Sequence, residues 1–273
     1  MPSENELIRV AVVGAAGRMG REVLRALTPQ YGFKILVAVD RSCVGEHCRQ
    51  LAGPEAPDLA VKDKLGAALD QSEVDVLVDF SHHSGAASHA TSAMKRGVSP
   101  VIGCTGLSEA DMGEIRSLTK ELSVPAMYVP NFAIGAVLMM KFSQLAARWM
   151  PDAEIIELHH DRKEDAPSGT AILTAQLISE SRTSDPVRLP RQVIKAEGAR
   201  GGKVCDIPVH SVRLPGFLAH QQVIFGAPGE VLTLRHDSSD RQSFMQGVRL
   251  AAGTVKSLQG FVVGLDKILF RDA

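Results

Sequence analysis

No apolar run of this 273-residue chain reaches about 18 residues, the length that a helix needs to cross a bilayer. The 30 basic and 31 acidic residues nearly cancel, and Lys and Arg form no block, so neither a membrane surface nor nucleic acid is an expected partner. Aromatic residues are scarce, with one Trp and two Tyr, which argues against platforms that stack bases or sugars. The polar, acidic start of the chain, Met1 to Glu6, predicts no secretion signal.

The four cysteines form no Cys-x-x-Cys pair, and their spacing matches neither a zinc site nor a disulfide framework. They are Cys43, Cys48, Cys104 and Cys205. We therefore expect reduced thiols, a cytoplasmic location and no metal. A chain of this length can bury a large core without cross-links, as one large or two modest domains.

Strand-like and helix-like segments alternate in the first half of the chain. The predicted strands are Leu7–Val13, Phe33–Val39, Val74–Phe80, Val98–Ile102 and Ala126–Val129, and the predicted helices are Arg18–Leu27 and Ser108–Leu122. This alternation predicts an α/β, Rossmann-like doubly wound parallel sheet, whose ligands bind at the carboxyl ends of the strands.

The pattern changes after Asn131 to helices followed by several short strands. The predicted helices are Ile134–Trp149 and residues 168–182, and the predicted strands are Ala153–His159, Gln192–Ala196, Ile207–Arg213, Gln221–Phe225 and Glu230–His236. These elements predict a second, α+β domain with a mixed or antiparallel sheet. A last amphipathic helix, Ser243–Leu258, is expected to return to the first domain.

A glycine-rich loop follows the first predicted strand. Glycines 14, 17 and 20 permit a tight turn and a close approach of phosphate to the N–H groups at the start of the next helix. The spacing is G-x-x-G-x-x-G, which is a weak signal by itself. Asp40 strengthens it, because a carboxylate at the end of the second strand can accept hydrogen bonds from ribose hydroxyls. Together they predict a dinucleotide site.

Other residues near the same strand ends could also contact the dinucleotide, and for most of them a purely structural role is the alternative. Arg41 could pair with a 2′-phosphate or be a solvated loop cation, so NADH and NADPH both stay open. Arg18 could lie near the pyrophosphate or be an exposed first-turn residue. Phe80 could pack on the nicotinamide or in the core. Gly103 and Gly106 let a loop pass close to a ring.

Two adjacent histidines and a lysine stand at the end of a predicted strand. His159 and His160 point to opposite faces of that strand, so they are expected to have different roles. One suits a general acid near neutral pH, and the other suits a hydrogen bond to a substrate carboxylate. Lys163 adds a positive charge close by. The pair His82–His83 is a weaker rival, since no anion-binding turn follows it.

An anion-binding turn follows this cluster within the stretch Glu157–Ala171. Ser168 can cap the next helix, which leaves the N–H groups of Gly169 and Thr170 for an anion, and the Thr170 hydroxyl adds a donor. The whole stretch predicts a site that binds a small, multiply anionic substrate, a dicarboxylate, and moves a proton on it.

These motifs resemble those of the 4-hydroxy-tetrahydrodipicolinate reductases of bacterial lysine and diaminopimelate biosynthesis. The resemblance covers almost the whole chain. It is carried by Gly14–Gly20, Gly103–Gly106, Val129–Phe132, Glu157–Ala171 and Val209–Gly216. The His-His-Lys-Ser-Gly-Thr stretch is specific to that family, whereas the glycine loop is shared with many reductases. Two positions depart from the family pattern, Ala133 in place of a common Ser and His83 in place of a common Pro.

The resemblance implies the roles of single residues. The cofactor, NADPH or NADH, would be bound by Gly14, Ala15, Ala16, Gly17, Arg18, Met19, Asp40, Arg41, Gly103, Cys104, Thr105, Val129, Pro130, Asn131 and Phe132. His159 would be the proton donor and acceptor and Lys163 a proton donor, while His160, Gly169 and Thr170 would bind the substrate carboxylates beside the capping Ser168. A homotetramer built through the sheet of the second domain is also implied.

These expectations divide the chain into three segments. Residues 1–131 would form the dinucleotide-binding domain, residues 132–240 the substrate-binding and tetramerisation domain, and residues 241–273 a segment that returns to the first domain. Asn131–Gly135 is a plausible hinge for a closure that excludes water.

Two other functions are open on the residues alone. Cys104 at a strand end could be the nucleophile of a semialdehyde dehydrogenase-like oxidoreductase, although no general base is evident near it and the histidine stretch would go unexplained. A non-enzymatic dinucleotide-sensing protein would keep the glycine loop, but it would need a partner-binding or DNA-binding element that the sequence does not show.

Overall fold

The computed structural model describes residues 6–186 and 193–271 of the chain. Within it the chain forms two compact units. The first comprises the chain up to Phe132 and the segment from Phe244 onward, and the second is Ala133–Ser243. No helix in the part of the chain that the structure describes is long and apolar enough to span a membrane.

The helices and strands are numbered in chain order. The strands are β1 Ile8–Val13, β2 Phe33–Val39, β3 Val76–Asp79, β4 Ser99–Ile102, β5 Ala126–Tyr128, β6 Asp152–His159, β7 Gly202–Val204, β8 Ile207–Arg213, β9 Ala219–Ala227, β10 Glu230–Ser238 and β11 Phe261–Val263. The helices are α1 Arg18–Ala26, α2 Cys48–Ala52, α3 Leu65–Asp70, α4 His83–Met94, α5 Glu109–Leu122, α6 Ile134–Ala146, α7 Gly169–Ser181, α8 Met245–Thr254 and α9 Asp266–Leu269.

The first unit contains a six-stranded parallel sheet in the order β11-β5-β4-β3-β1-β2. Its central strands are apolar on both faces, as Val10, Ala11 and Val12 of β1 show by their complete burial, which is typical of a parallel sheet covered by helices. The strand order changes direction at β1, between β2 and β3, so a crevice is expected at the carboxyl ends there. The predicted Rossmann-like doubly wound sheet is confirmed.

Helix α4 is absent from the sequence-based prediction, in which a Ser- and Gly-rich turn follows β3. Its buried face consists mainly of the small residues Ala86, Ala90 and Ala93, which produce little hydrophobic periodicity. The C-terminal helix is also shorter than predicted. A 3₁₀ turn, Arg241–Phe244, precedes α8 and another, Val255–Ser257, follows it.

The second unit contains a five-stranded sheet in the order β10-β9-β6-β8-β7. Strand β6 runs parallel to β8 and antiparallel to β9, so the sheet is mixed. Helices α6 and α7 lie on one face, where Ile155, Ile178, Val223 and Phe225 are completely buried in a common core. Side chains on the opposite face, such as Ile156 and Leu158, are half-buried.

One predicted strand of this unit is wrong. Gln192 lies outside the described residues, and Val193–Ala196 does not form a strand. The β-branched side chains that suggested it, Val193 and Ile194, are 83% and 53% exposed. A β-branched residue favours a strand only where it packs against neighbouring strands, and these two side chains lack such packing. The edge position beside β8 is taken by β7 instead.

Candidate active site

The glycine loop between β1 and α1 is packed too tightly for side chains at two of its glycines. Gly14 has a φ of +77°, and a Cβ added there would lie 2.7 Å from the backbone of Phe80. A Cβ on Gly20 would lie 2.0 Å from the carbonyl oxygen of Gly14. The loop therefore brings bare backbone to the start of α1, where N–H groups can receive a pyrophosphate. This cradle fits a dinucleotide.

Asp40, at the end of β2, is hydrogen-bonded to the glycine loop. Its Oδ2 accepts from the N–H of Ala16 at 2.9 Å, and its Oδ1 accepts from the N–H of Ser42 at 2.9 Å. Each carboxylate oxygen has a second lone pair, so the same group can also accept from ribose hydroxyls. Arg18 and Arg41 are both exposed, and their predicted contacts with phosphate stay predictions.

The other predicted cofactor residues of the first unit follow the ends of neighbouring strands. The rings of Phe80, after β3, and Phe132, after β5, have centroids 5.2 Å apart. Gly103, after β4, lies against both, since an added Cβ would be 2.5 Å from the Phe80 ring and 2.9 Å from the Phe132 ring. Val129 donates its N–H to Ile102 at 2.9 Å. The structure thus brings the loops after β1, β3, β4 and β5 to the carboxyl edge of the sheet.

Three residues that belong to these loops complete the predicted cofactor set. Thr105 and Pro130 are exposed and Asn131 is half-buried. They follow strands β4 and β5, which pair with each other, and so they share the carboxyl edge with Gly103 and Phe132.

Cys104 is unsuited to act as a nucleophile. The residue is buried, and burial, together with the nearby Asp79 carboxylate, raises the pKa of its thiol to about 12. A reactive cysteine needs a lowered pKa, because the thiolate is the nucleophile. The structure therefore gives the dehydrogenase-like alternative no support.

One member of the rival histidine pair, His82, has a structural role. The Nδ1 of His82 accepts from the N–H of Ser84 at 3.3 Å and so caps α4. The rings of His82 and His83 lie 4.0 Å apart between centroids. An N-cap accepts a hydrogen bond from an N–H group that the helix start leaves without a partner. This capping role explains the presence of His82 without a catalytic role.

In the second unit His159 is held by a buried carboxylate. Glu157 lies two residues before it on β6, on the same face of the strand, and is completely buried. One oxygen of Glu157 contacts Nδ1 of His159. The guanidinium of Arg213, at the end of β8, donates to both oxygens of Glu157, at 2.9 Å and 2.7 Å.

The Glu157 carboxyl is ionised in this setting. Burial by itself raises its pKa, but hydrogen bonds from His159, Arg213 and Ser211 outweigh burial and bring the pKa down to about 2. The carboxylate therefore carries its charge throughout the neutral range, with Arg213 as its counter-ion.

Lys163 lies in the loop between β6 and α7. Its Nζ donates to both carboxylate oxygens of Asp165, at 2.6 Å and 2.8 Å, and this pairing lowers the pKa of Asp165. The Lys163 side chain is 20% exposed and that of Asp165 is 62% exposed, so solvent or an anion can compete for the ammonium group.

Helix α7 starts at the predicted position, with the predicted cap. Ser168 caps the helix by accepting from the N–H of Ala171 at 3.2 Å, and its own N–H donates to Glu157 at 3.3 Å. The first-turn N–H groups, those of Gly169 and Thr170, lie at the positive end of the helix dipole. His160, directly after β6, is half-buried and precedes the same loop.

Two family models match the chain in succession. One, for the N-terminus of dihydrodipicolinate reductase, matches residues 8–132, and the other, for its C-terminus, matches residues 135–269. The chain belongs to the dihydrodipicolinate reductase family. It is therefore an oxidoreductase of that family, whose N-terminal Rossmann domain binds NADH or NADPH. The prediction from sequence is confirmed on these points, and the non-enzymatic alternative is not favoured.

Named relatives agree over nearly the full length. A 4-hydroxy-tetrahydrodipicolinate reductase of Bacillus cereus is 46% identical over 262 residues, which cover 96% of this chain and 98% of that one. One of Bacillus anthracis is 45% identical over the same shares. A solved, dipicolinate-bound dihydrodipicolinate reductase from Paenisporosarcina sp. TG-14 has a TM-score of 0.85 at 40% identity and covers 96% of this chain and 99% of that one.

A more distant structure shares the fold alone. The amine dehydrogenase from Mycobacterium smegmatis is 16% identical, with a TM-score of 0.66 over 95% of each chain. At this identity the likeness concerns the arrangement of strands and helices. A shared fold at this identity carries no statement about chemistry.

Sequence analysis assigned no role to two of the functional candidates, Glu157 and Arg213. The signal for Glu157 was present, since it shares a strand face with His159. Arg213 could be recognised only from the pairing of β6 with β8, which places it opposite His159. That pairing joins residues far apart in the chain.

Proposed function

We propose that this chain reduces 4-hydroxy-tetrahydrodipicolinate, in its dehydrated form, to tetrahydrodipicolinate in lysine and diaminopimelate biosynthesis. The observation that carries the proposal is the histidine, lysine and helix-start cluster at the end of β6 in a chain of the dihydrodipicolinate reductase family. The cluster combines a proton donor, a cation and anion-binding N–H groups, which a dicarboxylate ring requires.

The cofactor would be held by the glycine loop, Asp40 and the loops after β3, β4 and β5. NADH or NADPH, when bound, supplies the hydride. Bare backbone at Gly14 and Gly20 admits the pyrophosphate to the start of α1. The carboxylate of Asp40 accepts from ribose hydroxyls, and exposed Arg41 is available for a 2′-phosphate.

The substrate would be held by its two carboxylates. The N–H groups of Gly169 and Thr170, with the Thr170 hydroxyl, bind one carboxylate at the helix start capped by Ser168. His160 binds the other. Dipicolinate, a compound of this shape, is bound in the related Paenisporosarcina structure, which supports a planar dicarboxylate as the ligand of this cluster.

Two residues would stabilise the charge that develops on the ring and supply the proton. Negative charge develops on the conjugated ring during its reduction, and the ammonium group of Lys163 stabilises that charge. His159 donates a proton to the ring as general acid. Lys163 must leave Asp165 or share its protons with the substrate, which the exposed position of the Asp165 side chain allows.

The reaction itself is tested by following oxidation of NADH and of NADPH with substrate generated from pyruvate and aspartate semialdehyde. Turnover that needs both precursors supports the proposal. A folded protein that binds the reduced cofactor but shows no turnover with either would contradict it.

We also propose assembly into a homotetramer through the second sheet. The face of this sheet opposite α6 and α7 carries the half-buried apolar residues Ile156, Leu158 and Ile224, and Val231 beside them is 69% exposed. Light scattering should give about four times the chain mass of 29.2 kDa. A monomeric mass at micromolar concentration would contradict this assembly.

A cytoplasmic location is the last part of the proposal. All four cysteines are free thiols in the structure, as suits a reducing compartment. Fractionation of the producing cells checks it, and recovery outside the cytoplasmic fraction would contradict it.

A further inference from the structure

The buried carboxylate of Glu157 has two charged or ionisable partners at once. It contacts Nδ1 of His159 and forms a two-pronged ion pair with Arg213. Arg213 also donates to the carbonyl oxygen of Asp165 at 2.8 Å, and the side chain of Asp165 holds Lys163. Arg213 is thus connected to both of the residues proposed to handle charge and proton.

We propose that Glu157 and Arg213 are positioning residues that set the orientation of His159 and the place of the Lys163 loop. The inference rests on the proposed function, because it assigns these two residues an effect only through His159 and Lys163. Neither residue is proposed to touch the substrate.

The chemistry of the imidazole explains the effect of Glu157. A carboxylate can only accept, so Nδ1 must carry a proton wherever it contacts Glu157. The other nitrogen, Nε2, is then the one that exchanges a proton with the substrate. When the imidazolium gives up its Nε2 proton to the reduced ring, the Nδ1 proton stays in its hydrogen bond to Glu157, and the imidazole ends as a single neutral tautomer.

Arg213 keeps that carboxylate ionised and fixed. A buried carboxylate without a counter-ion would be costly, and its position would be poorly defined. The two-pronged geometry fixes both oxygens, so that one of them stays aimed at Nδ1. Through the carbonyl of Asp165 the same guanidinium ties the loop of Lys163 to β8.

The strand offers a matched control. Glu154, three residues earlier on the opposite face of β6, also pairs with an arginine and a histidine, Arg200 and His210. It is partly exposed and has no contact with the proposed site residues among those that the structure describes. Glu154→Gln therefore removes the same charge, from the same strand, without touching His159. Because Glu154 lies on the sheet face proposed for assembly, the mass of this variant by light scattering is compared with that of the wild type.

The test compares Glu157→Gln, Glu154→Gln and the double variant Glu157→Leu/Arg213→Met, which leaves no acceptor for Nδ1, using steady-state kinetics, thermal unfolding and dipicolinate binding. A glutamine at 157 cannot accept from Nδ1 and serve both Arg213 donors together. We expect kcat to fall at least about 100-fold in Glu157→Gln, as for other carboxylates that orient a catalytic imidazole, with KM for the cofactor changed less than about twofold. Glu154→Gln should keep the wild-type kcat.

The double variant separates positioning from stability. It removes both buried charges, so part of the lost thermal stability should return, while kcat stays low because Nδ1 still lacks its carboxylate. A kcat that returns with stability would overturn the proposal, as would a folded Glu157→Gln with wild-type kcat. If the single variant does not fold, the double variant alone decides between these results.

Failure of the proposed function would look different. In that case the wild type itself would bind the reduced cofactor without oxidising it in the presence of the substrate, whereas an active wild type beside an equally active His159→Gln would remove only the role of His159. A strong effect of His159→Gln with none of Glu157→Gln would overturn this inference alone.

Discussion

The Oδ2 of Asp40 accepts a hydrogen bond from the N–H of Ala16 at 2.9 Å and so joins the end of β2 to the glycine loop. The same carboxylate is the group proposed to meet the adenosine ribose. In the proposed function this carboxylate would therefore both support the loop and bear on the choice between NADH and NADPH.

Asp40→Asn should shift cofactor preference toward NADPH. The amide oxygen can still accept from Ala16, although the hydrogen bond from Ser42 is lost. The negative charge that opposes a 2′-phosphate is gone, and Arg41 beside it is unchanged. We expect the ratio of kcat/KM for NADPH to that for NADH to rise about fivefold or more, equivalent to about 1 kcal/mol. Initial rates with both cofactors measure it, and a ratio that stays constant or falls would contradict the role given to this charge.

Gly20→Ala should damage the glycine loop. The added Cβ would lie 2.0 Å from the Gly14 carbonyl oxygen, so the loop must shift, at a cost of roughly 1–3 kcal/mol in stability and with weaker cofactor binding. Urea unfolding and titration with NADPH, followed by its fluorescence, measure both.

Gly113→Ala in α5 is the matched control for that change. Apart from its chain neighbours and the backbone of its own helix, no atom lies within 4 Å of its added Cβ. Alanine is also the better helix former, so stability should rise by roughly 0.5–1 kcal/mol. Equal losses in both variants would mean that close packing at Gly20 is not the cause.

The predictions from sequence succeeded where the pattern is local. The apolar run of β2, the cap of α5 by Ser108 and the helix start at Ser168 depend on neighbouring residues. The predictions from sequence failed where contacts between distant segments determine the structure. Val193–Ala196 has strand-forming residues but no strand partner, and Arg213 meets Glu157 only through the pairing of β6 with β8.

Glu157 should make the stability of the protein depend on acid pH. Its pKa of about 2 in the folded chain lies below the ordinary value of 4.5, so the unfolded chain binds the proton first as pH falls. The carboxylate thus contributes roughly 3 kcal/mol above about pH 4.5, and this is lost as pH falls toward about 2.

Urea unfolding at several pH values between about 6 and 3 tests this contribution. The wild type should lose more stability over this range than Glu157→Gln, which has no carboxyl to titrate at that position. Parallel losses in the two proteins would contradict the lowered pKa.

The cysteines should differ sharply in reactivity. Cys205 is exposed, whereas Cys104 is buried and burial raises its pKa to about 12. Iodoacetamide near about pH 8 should therefore label Cys205 first, and turnover should survive that labelling. Mass spectrometry of digested samples, beside rate assays, follows both. Loss of turnover in step with labelling of Cys104 would revive the nucleophile alternative.

The most direct measurement is the rate of NADPH oxidation by wild type, His159→Gln and Lys163→Ala, with cofactor affinity measured on the same samples. The account predicts that both variants lose at least about 100-fold in kcat, as expected for removal of a general acid or of a stabilising charge, while they bind NADPH like the wild type. Turnover that survives both changes would contradict the roles of His159 and Lys163.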